Sequence, residues 1–445
     1  MNNYKKVMSK VISKVISKVI PIFLFGMISL LQGCFNPLKK KVDESAFIDP
    51  GNLTSIKYCS HSEATNFNPN PNGAASTSEN CKFIACIDET KIGYNKKKLD
   101  EYKEYVANHG GLIVESDSLC GDDNIDYSGA DFPFPAGYTE YHTYKEFLTK
   151  IKEYINSSNG FARLVVFGKS AGGLPLISLR LSNDHASADQ KPTLVMVGTH
   201  HSREHLSTEI PLRLIGYMIE KAKSDPAFQA LFSSRTVIVA PMLNPDGAIY
   251  DLSATSFRYW RKNTRKNAGS SSFIGVDLNR NYDQRWAQGG SSSNPGSDVY
   301  HGPSAFSEPE TVAFRDFLQS LPNLKFTLSY HAFSELVLYP WGGESGPVPG
   351  KDGAAMKKIA EELAKMTKYK AMQSSALYIA TGDTCDWTFA NLQVYCLTFE
   401  LSPSEAAGNA GFYPKGNIIE GVFNKHKQPI DYLLSILPDP SGVIK

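Results

Sequence analysis

A chain of 445 residues can bury a full hydrophobic core and has room for roughly two or three domains. Hydrophobic residues make up 42% of it and charged residues 20%, an ordinary balance for a globular protein. A formal net charge of +1 excludes a basic face for nucleic acid and an acidic tail, so function has to be sought in local constellations.

In chain order, the first element is a leader. Lys5, Lys6, Lys10, Lys14 and Lys18 precede an apolar run from Val19 to Leu31, the layout of a secretory signal and too short for a comfortable membrane span. The run ends in Leu31-Gln32-Gly33-Cys34, which resembles a bacterial lipobox. Residues 1–33 are therefore expected as a lipoprotein-type signal peptide, with cleavage before Cys34 and a lipid on its thiol; an uncleaved N-terminal anchor is the alternative. The chain is then exported and held on the lipid membrane of the cell envelope through acylated Cys34. Phe35 is not the aspartate that retains some lipoproteins in the inner membrane, which points to the outer one. Six cysteines remain: Cys59, Cys81, Cys86, Cys120, Cys385 and Cys396. An even number in an oxidising compartment predicts disulfides. The first four are spaced 22, 5 and 34 apart, without the CxxC pairs of a thiolate zinc site.

Residues 34–136 read as a tether followed by a small, disulfide-bearing α+β region, a possible prosegment. Phe83–Ile87 is strand-like, Lys97–His109 helical, and Gly111–Val114 a second strand. Phe132-Pro133-Phe134-Pro135-Ala136-Gly137 marks a domain boundary.

Residues 137–440 form the main domain, in which buried strands alternate with amphipathic helices. Strands are predicted at Leu164–Phe167, Leu174–Leu181, Thr193–Gly198, Thr236–Ala240, Phe326–Tyr330 and Tyr395–Leu401. Helices are predicted at 143–156, 206–223, 308–319, 353–367 and 416–436, the third started by a capping box in Ser307-Glu308-Pro309-Glu310. This alternation predicts an α/β fold with a mixed central β-sheet flanked by helices, whose ligand sites lie beyond the carboxyl ends of strands.

Four segments at predicted strand ends carry chemistry. In Thr199-His200-His201-Ser202-Arg203-Glu204-His205, a His and a Glu three apart can turn toward one cation, since zinc favours imidazole and carboxylate. The alternative is a polar helix start. Trp260-Arg261-Lys262, followed by Asp277-Leu278-Asn279-Arg280, offers an amide and a guanidinium fork suited to a carboxylate, or else a solvated basic loop. Leu328-Ser329-Tyr330-His331 ends an apolar strand in a histidine. Thr398-Phe399-Glu400-Leu401 sets a carboxylate in an apolar strand, where it needs a cation, a proton or a water-filled cleft.

Taken in order, these segments resemble the zinc metallocarboxypeptidases of the carboxypeptidase A/B type over about Tyr138 to Leu437. The resemblance implies one Zn2+ per chain, held by His201, Glu204 and His331, with Asp277 fixing the tautomer of a ligand histidine. It makes Glu400 the general base and Arg261 the group that polarises the scissile carbonyl. Asn279 and Arg280 would bind the substrate's terminal carboxylate, Arg203 the chain upstream, and Tyr378 would close over the substrate. Three protein ligands leave a position open for water, the mark of a catalytic zinc. The implied activity is a monomeric exopeptidase acting on peptide or protein C-termini. The segment after Tyr378 would line the pocket for the terminal side chain, with Cys385 at its floor. Cys385 is either a small, nearly apolar thiol or bonded to Cys396. Asp383 either pairs with a terminal Lys or Arg or caps a loop in water. Mixed preference for hydrophobic and basic termini follows.

Gly168-Lys169-Ser170-Ala171-Gly172 fits the GxSxG nucleophile elbow, but the strand-like run after it predicts a hairpin instead. Asn244-Pro245-Asp246-Gly247 reads as a turn. Two other functions remain open: an envelope amidase or carboxypeptidase that trims peptidoglycan peptides, and a non-catalytic lipoprotein that keeps the fold as a binding module.

Overall fold

The computed structural model describes residues 129–267 and 272–444 in full. It also describes the backbone of two short strands, β1 (Ile84–Cys86) and β2 (Leu112–Val114), which pair in parallel with Ile84 opposite Leu112. A parallel pair is what the predicted strand–helix–strand unit requires. The leader, Cys34, the tether, the helix at 97–109 and the pairing of the first four cysteines lie outside the described residues.

Eight strands form one mixed sheet: β3 (Ala162–Lys169), β4 (Pro175–Leu181), β5 (Thr193–Gly198), β6 (Thr236–Ala240), β7 (Leu324–Ser334), β8 (Leu336–Tyr339), β9 (Lys370–Gln373) and β10 (Tyr395–Ser404). Their spatial order is β3-β4-β6-β5-β7-β10-β8-β9, and the four central strands β6, β5, β7 and β10 run parallel. Every residue of β5 and β6 is buried, as expected of parallel strands covered on both faces.

Helices α1 (Tyr144–Ser157), α2 (Leu206–Ser224), α6 (Gly350–Thr367) and α8 (Ile419–Ile436) cover one face. Their Ile151, Ile210, Ile359 and Leu433 pack with Leu194, Met196, Leu328 and Phe399 of the strands. On the other face, α5 (Pro309–Gln319) and α7 (Thr384–Leu392) bring Phe314 and Trp387 against Val195, Val197 and Ile238. Side chains alternate between the faces, so Tyr330 and Phe399 enter the first core while His331 and Glu400 point to the second side. Slipping β7 by one residue would send His331 into oil.

Two short helices, α3 (Pro226–Leu231) and α4 (Pro245–Leu252), start where an Asx side chain meets a proline: Asp225 and Asn244 accept backbone N–H bonds ahead of Pro226 and Pro245. Asn244–Gly247 is thus a helix start rather than a free turn. The capping box at Ser307 does not form: Glu308 is the N-cap residue, the Ser307 hydroxyl donates to Glu308, and the Glu310 carboxylate instead accepts from the Ala171 N–H and Asn263 Nδ2. A capping box does form at α1, between Thr143 and Glu146. β3 and β4 make the predicted hairpin, and Ser170 at its turn donates to Asp246 Oδ1 at 3.0 Å. Ser170 is structural.

The aromatic part of the 132–137 segment packs onto the main domain. Phe134 is buried, stacked on Tyr141 and edge-on to His205. Among the described residues no helix is long and apolar enough to cross a membrane.

Candidate active site

Beyond Gly198 at the end of β5, the chain must turn at once. A Cβ on Gly198 would lie 2.0 Å from Ser207 O, so only glycine lets α2 start this close to the strand. Thr199 follows with φ +56°, a costly conformation for a β-branched residue. It is held by a bond from its N–H to Ser207 Oγ and by its hydroxyl on Pro241 O. The turn aims His200 and His201 along the sheet's second face, and Glu204 follows one turn later.

His201, Glu204 and His331 meet there, all buried, with one donor atom from each within 4.8 Å of the others. His201 Nδ1 lies 2.8 Å from Glu204 Oε1, and His331 Nδ1 lies 3.0 Å from Glu204 Oε2. The two Nδ1 atoms are 3.1 Å apart. Behind them, Asp277 Oδ1 is 3.1 Å from His201 Nε2. Both ring nitrogens of His201 thus face carboxylates, which only accept; a cation held at Nδ1 would leave the ring hydrogen on Nε2, donated to Asp277. Acceptors facing one another in this way fit a cation between them, and two imidazoles with one carboxylate are the donor set zinc favours.

Arg261 completes the layer beneath. Its Nε donates to Asp277 Oδ2 at 2.9 Å, and Nη1 stands 3.9 Å from Glu204 Oε1. Burial opposes ionisation of Asp277, but Arg261 and His201 outweigh it and hold this carboxyl well below its ordinary range. Burial also opposes ionisation of Glu204, which His201 likewise holds well below the usual value. Burial lowers His331, keeping a neutral imidazole ready to ligate.

Glu400 pairs with His331 in the parallel register of β10 and β7, and it is not in the donor triad. Burial and then the charge of Glu204 push its carboxyl well above the ordinary range. Although they lie mid-sheet, Glu400 and Thr398 are only half-buried, so open space reaches the strand at these two residues.

A cleft of about 400 Å³ stands over this wall, lined by Arg203, Arg261, Arg280, Asp298, Tyr378 and Ile379 among others. Arg203 bonds Tyr259 O and Asp298 and lies over the Phe412 ring at 4.2 Å. Arg280 bonds Gly290 O and Asn279 O and sits 5.8 Å from the Tyr378 ring. Tyr378 is 51% exposed. Of the sequence-predicted residues, Arg203, Arg261, Arg280 and Tyr378 line the cleft, and His201, Glu204, His331 and Asp277 meet beneath it; Cys34 lies outside the described residues.

Two pocket residues take forms the sequence left open. Cys385 is bonded to Cys396, so the thiol is gone. Asp383 is not a water-exposed loop cap: its Oδ1 accepts the Cys385 and Asp386 N–H groups at the start of α7, while Oδ2 is buried without a partner. Burial raises its carboxyl, and burial together with Asp383 raises Asp386 to about 8. Sequence reasoning missed three residues. Ser329 Oγ bonds His331 Nε2 at 3.1 Å, and its place two residues earlier on the same strand face was the available signal. His200 and Thr384 join across the site at 2.7 Å with no local signal.

The zinc carboxypeptidase family model matches residues 147–428. A zinc carboxypeptidase of Saccharothrix mutabilis subsp. capreolus is 31% identical over 339 residues, covering 74% of this chain and 77% of the relative. Human carboxypeptidase A1 is 31% identical over 63% of this chain and 67% of its own length. Among solved structures, the carboxypeptidase A of Helicoverpa armigera superposes with a TM-score of 0.59 at 25% identity, covering 68% of this chain and 74% of that one. Bovine thrombin-activatable fibrinolysis inhibitor gives 0.59 at 24% identity, covering 67% of this chain and 97% of that chain. The match runs over the same stretch that builds the sheet and the buried triad, and it makes this chain a member of the zinc carboxypeptidase family, a metallocarboxypeptidase that works with one zinc.

Proposed function

We propose that this exopeptidase removes single residues from the C-termini of peptides or proteins, with Glu400 as general base and a preference for apolar and basic last residues. The observation that carries the reading is one cleft lined by Arg203, Arg261 and Arg280, of which Arg261 and Arg280 act by charge on Glu400, the register partner of His331. Three guanidinium groups against the single carboxylate of Asp298 suit an anionic chain end.

His201, Glu204 and His331 hold the zinc, which when bound supplies Lewis acidity, polarising a carbonyl and acidifying water. Asp277 keeps His201 in the ligating tautomer and anchors Arg261. Asn279 and Arg280 grip the terminal carboxylate, so that only the last peptide bond reaches Glu400. Glu400 takes the proton from the attacking water and hands it to the leaving amine. Arg261 faces the oxygen on which negative charge develops. Arg203 holds the chain upstream, and Tyr378 closes over the terminal residue.

Two features support the mixed preference. The Cys385–Cys396 bridge replaces a thiol with an apolar sulfur pair. The unpartnered Asp383 Oδ2 is an acceptor for a terminal Lys or Arg and repels an acidic terminus. The Lys-rich leader and Leu31-Gln32-Gly33-Cys34 support an enzyme anchored in the envelope by lipid.

A mass-spectrometric time course on a mixed peptide library, using the zinc-loaded full chain, tests the reading. Loss of one C-terminal residue at a time, fastest after Phe, Leu and Lys, is expected. Internal cleavage, or indifference to a C-terminal amide, overturns it.

A further inference from the structure

His200 precedes a metal donor, yet it belongs to no part of the reading above. Its side chain is fully buried, with Nδ1 lacking any partner. Nε2 lies 2.7 Å from Thr384 Oγ1 and 3.1 Å from Tyr282 Oη. Its ring stacks on His331 at 5.5 Å with 19° between the planes.

The hydrogens in this contact can be assigned. The Thr384 N–H donates to Asn279 Oδ1 at 2.9 Å, and so does the Thr384 hydroxyl, also at 2.9 Å. A hydroxyl has one hydrogen, and Thr384 spends it on Asn279. His200 Nε2 must then be the donor to Thr384 Oγ1. The relay runs in one direction, from His200 Nε2–H to the Thr384 hydroxyl and on to the Asn279 carbonyl. Because a backbone N–H can only meet the amide oxygen, the Asn279 amide cannot be flipped. Its oxygen is turned toward α7 and its Nδ2 lies on the far side, with one hydrogen facing His331 Nε2 at 3.5 Å and the other left as a donor.

We propose that His200 is a positioning residue, acting through the Thr384 hydroxyl to tighten the Asn279 amide in the orientation the Thr384 backbone N–H selects, which leaves its NH2 group for the substrate's terminal carboxylate. The inference rests on the carboxylate-clamp reading of Asn279 and Arg280. His200 touches neither substrate nor metal. It joins the end of β5, where two metal donors follow, to the start of α7, where the terminal side-chain pocket begins.

The test is a double-mutant cycle on the zinc-loaded full chain carrying Glu400→Ala, read by calorimetric binding of a peptide ending in free Phe and of its C-terminal amide. Zinc content is measured in parallel. His200→Phe fills the space without the donor, and Thr384→Val removes the hydroxyl while keeping the backbone N–H. Each should lower the acid-over-amide preference roughly three- to tenfold, the worth of one buried neutral hydrogen bond, with zinc unchanged. The double variant should lose no more than either single one, and His200→Gln, which keeps a donor, should recover most of the loss. Additive losses overturn the proposal, as does an unchanged preference in Thr384→Val, which stands as the deciding variant should His200→Phe fail to fold. If the parent itself binds acid and amide alike, the clamp reading falls and takes the proposal with it; if the parent discriminates and the variants match it, the proposal alone fails.

Discussion

His201, Glu204, His331 and Asp277 are almost fully shielded from solvent and tied to one another, whereas Tyr378 at the mouth of the same cleft is 51% exposed and Arg203 reaches out to Asp298 at the surface. The deep wall rests on three parallel strands and the turn that follows one of them. The rim rests on the segments 280–299 and 374–382, joined by bonds such as Thr381 N–H to Gly289 O. The difference separates tasks. Metal donors must be held to within about half an ångström, which strands and buried ion pairs provide. Recognition of varied chain ends tolerates, and uses, side chains that can move.

If that division is right, substitutions should lose effect from wall to rim. Glu400→Ala should keep near-stoichiometric zinc and lose on the order of 10²–10⁴ in kcat, the range for a positioned acid–base group. Metal analysis beside single-turnover kinetics checks it, and zinc loss with activity retained would end the assignment. Asp277→Ala removes the partner of both His201 and Arg261. Zinc affinity should weaken roughly 10- to 100-fold in a competitive chelator titration. An unchanged affinity would mean that the wall is not braced from behind.

At the rim the losses should be smaller and selective. Asp383→Asn, assayed on peptides ending in Phe, Leu, Lys and Glu, should cut the Lys-to-Phe ratio of kcat/KM by roughly tenfold, the low end for a hydrogen bond to a charged group. Equal losses on all four would make Asp383 a helix cap alone. Tyr378→Phe should raise KM roughly three- to tenfold with kcat and zinc little changed, as for one neutral hydrogen bond. A collapse of kcat instead would move Tyr378 from the rim to the chemistry.

The wall was largely legible in the sequence and the rim less so. Strands Thr193–Gly198 and Thr236–Ala240 have the bounds the sequence predicts, because full burial writes an uninterrupted apolar run. β8 and β9 were not legible: four residues each leave no period to read. His201, Glu204, His331, Asp277 and Glu400 could be named because their types and order match a known chemistry, although β7 runs on past His331 to Ser334. His200 and Thr384 could not, since they are 184 residues apart and meet only in the fold. Ser307 misled for the opposite reason. Its local pattern is sound, but the Ala171 N–H and Asn263 compete for the Glu310 carboxylate.

The alternation along β7 and β10 up to Leu401 has a consequence for any change of length. Leu328 and Tyr330 answer to one core, while Ser329 and His331 answer to the site, and Phe399 and Glu400 divide in the same way. A single inserted or deleted residue in either strand therefore acts as a frameshift in three dimensions: every later side chain changes medium at once. Inserting one residue in β7 ahead of His331 should therefore abolish zinc binding, whereas the segments that join the strands carry no such phase to lose.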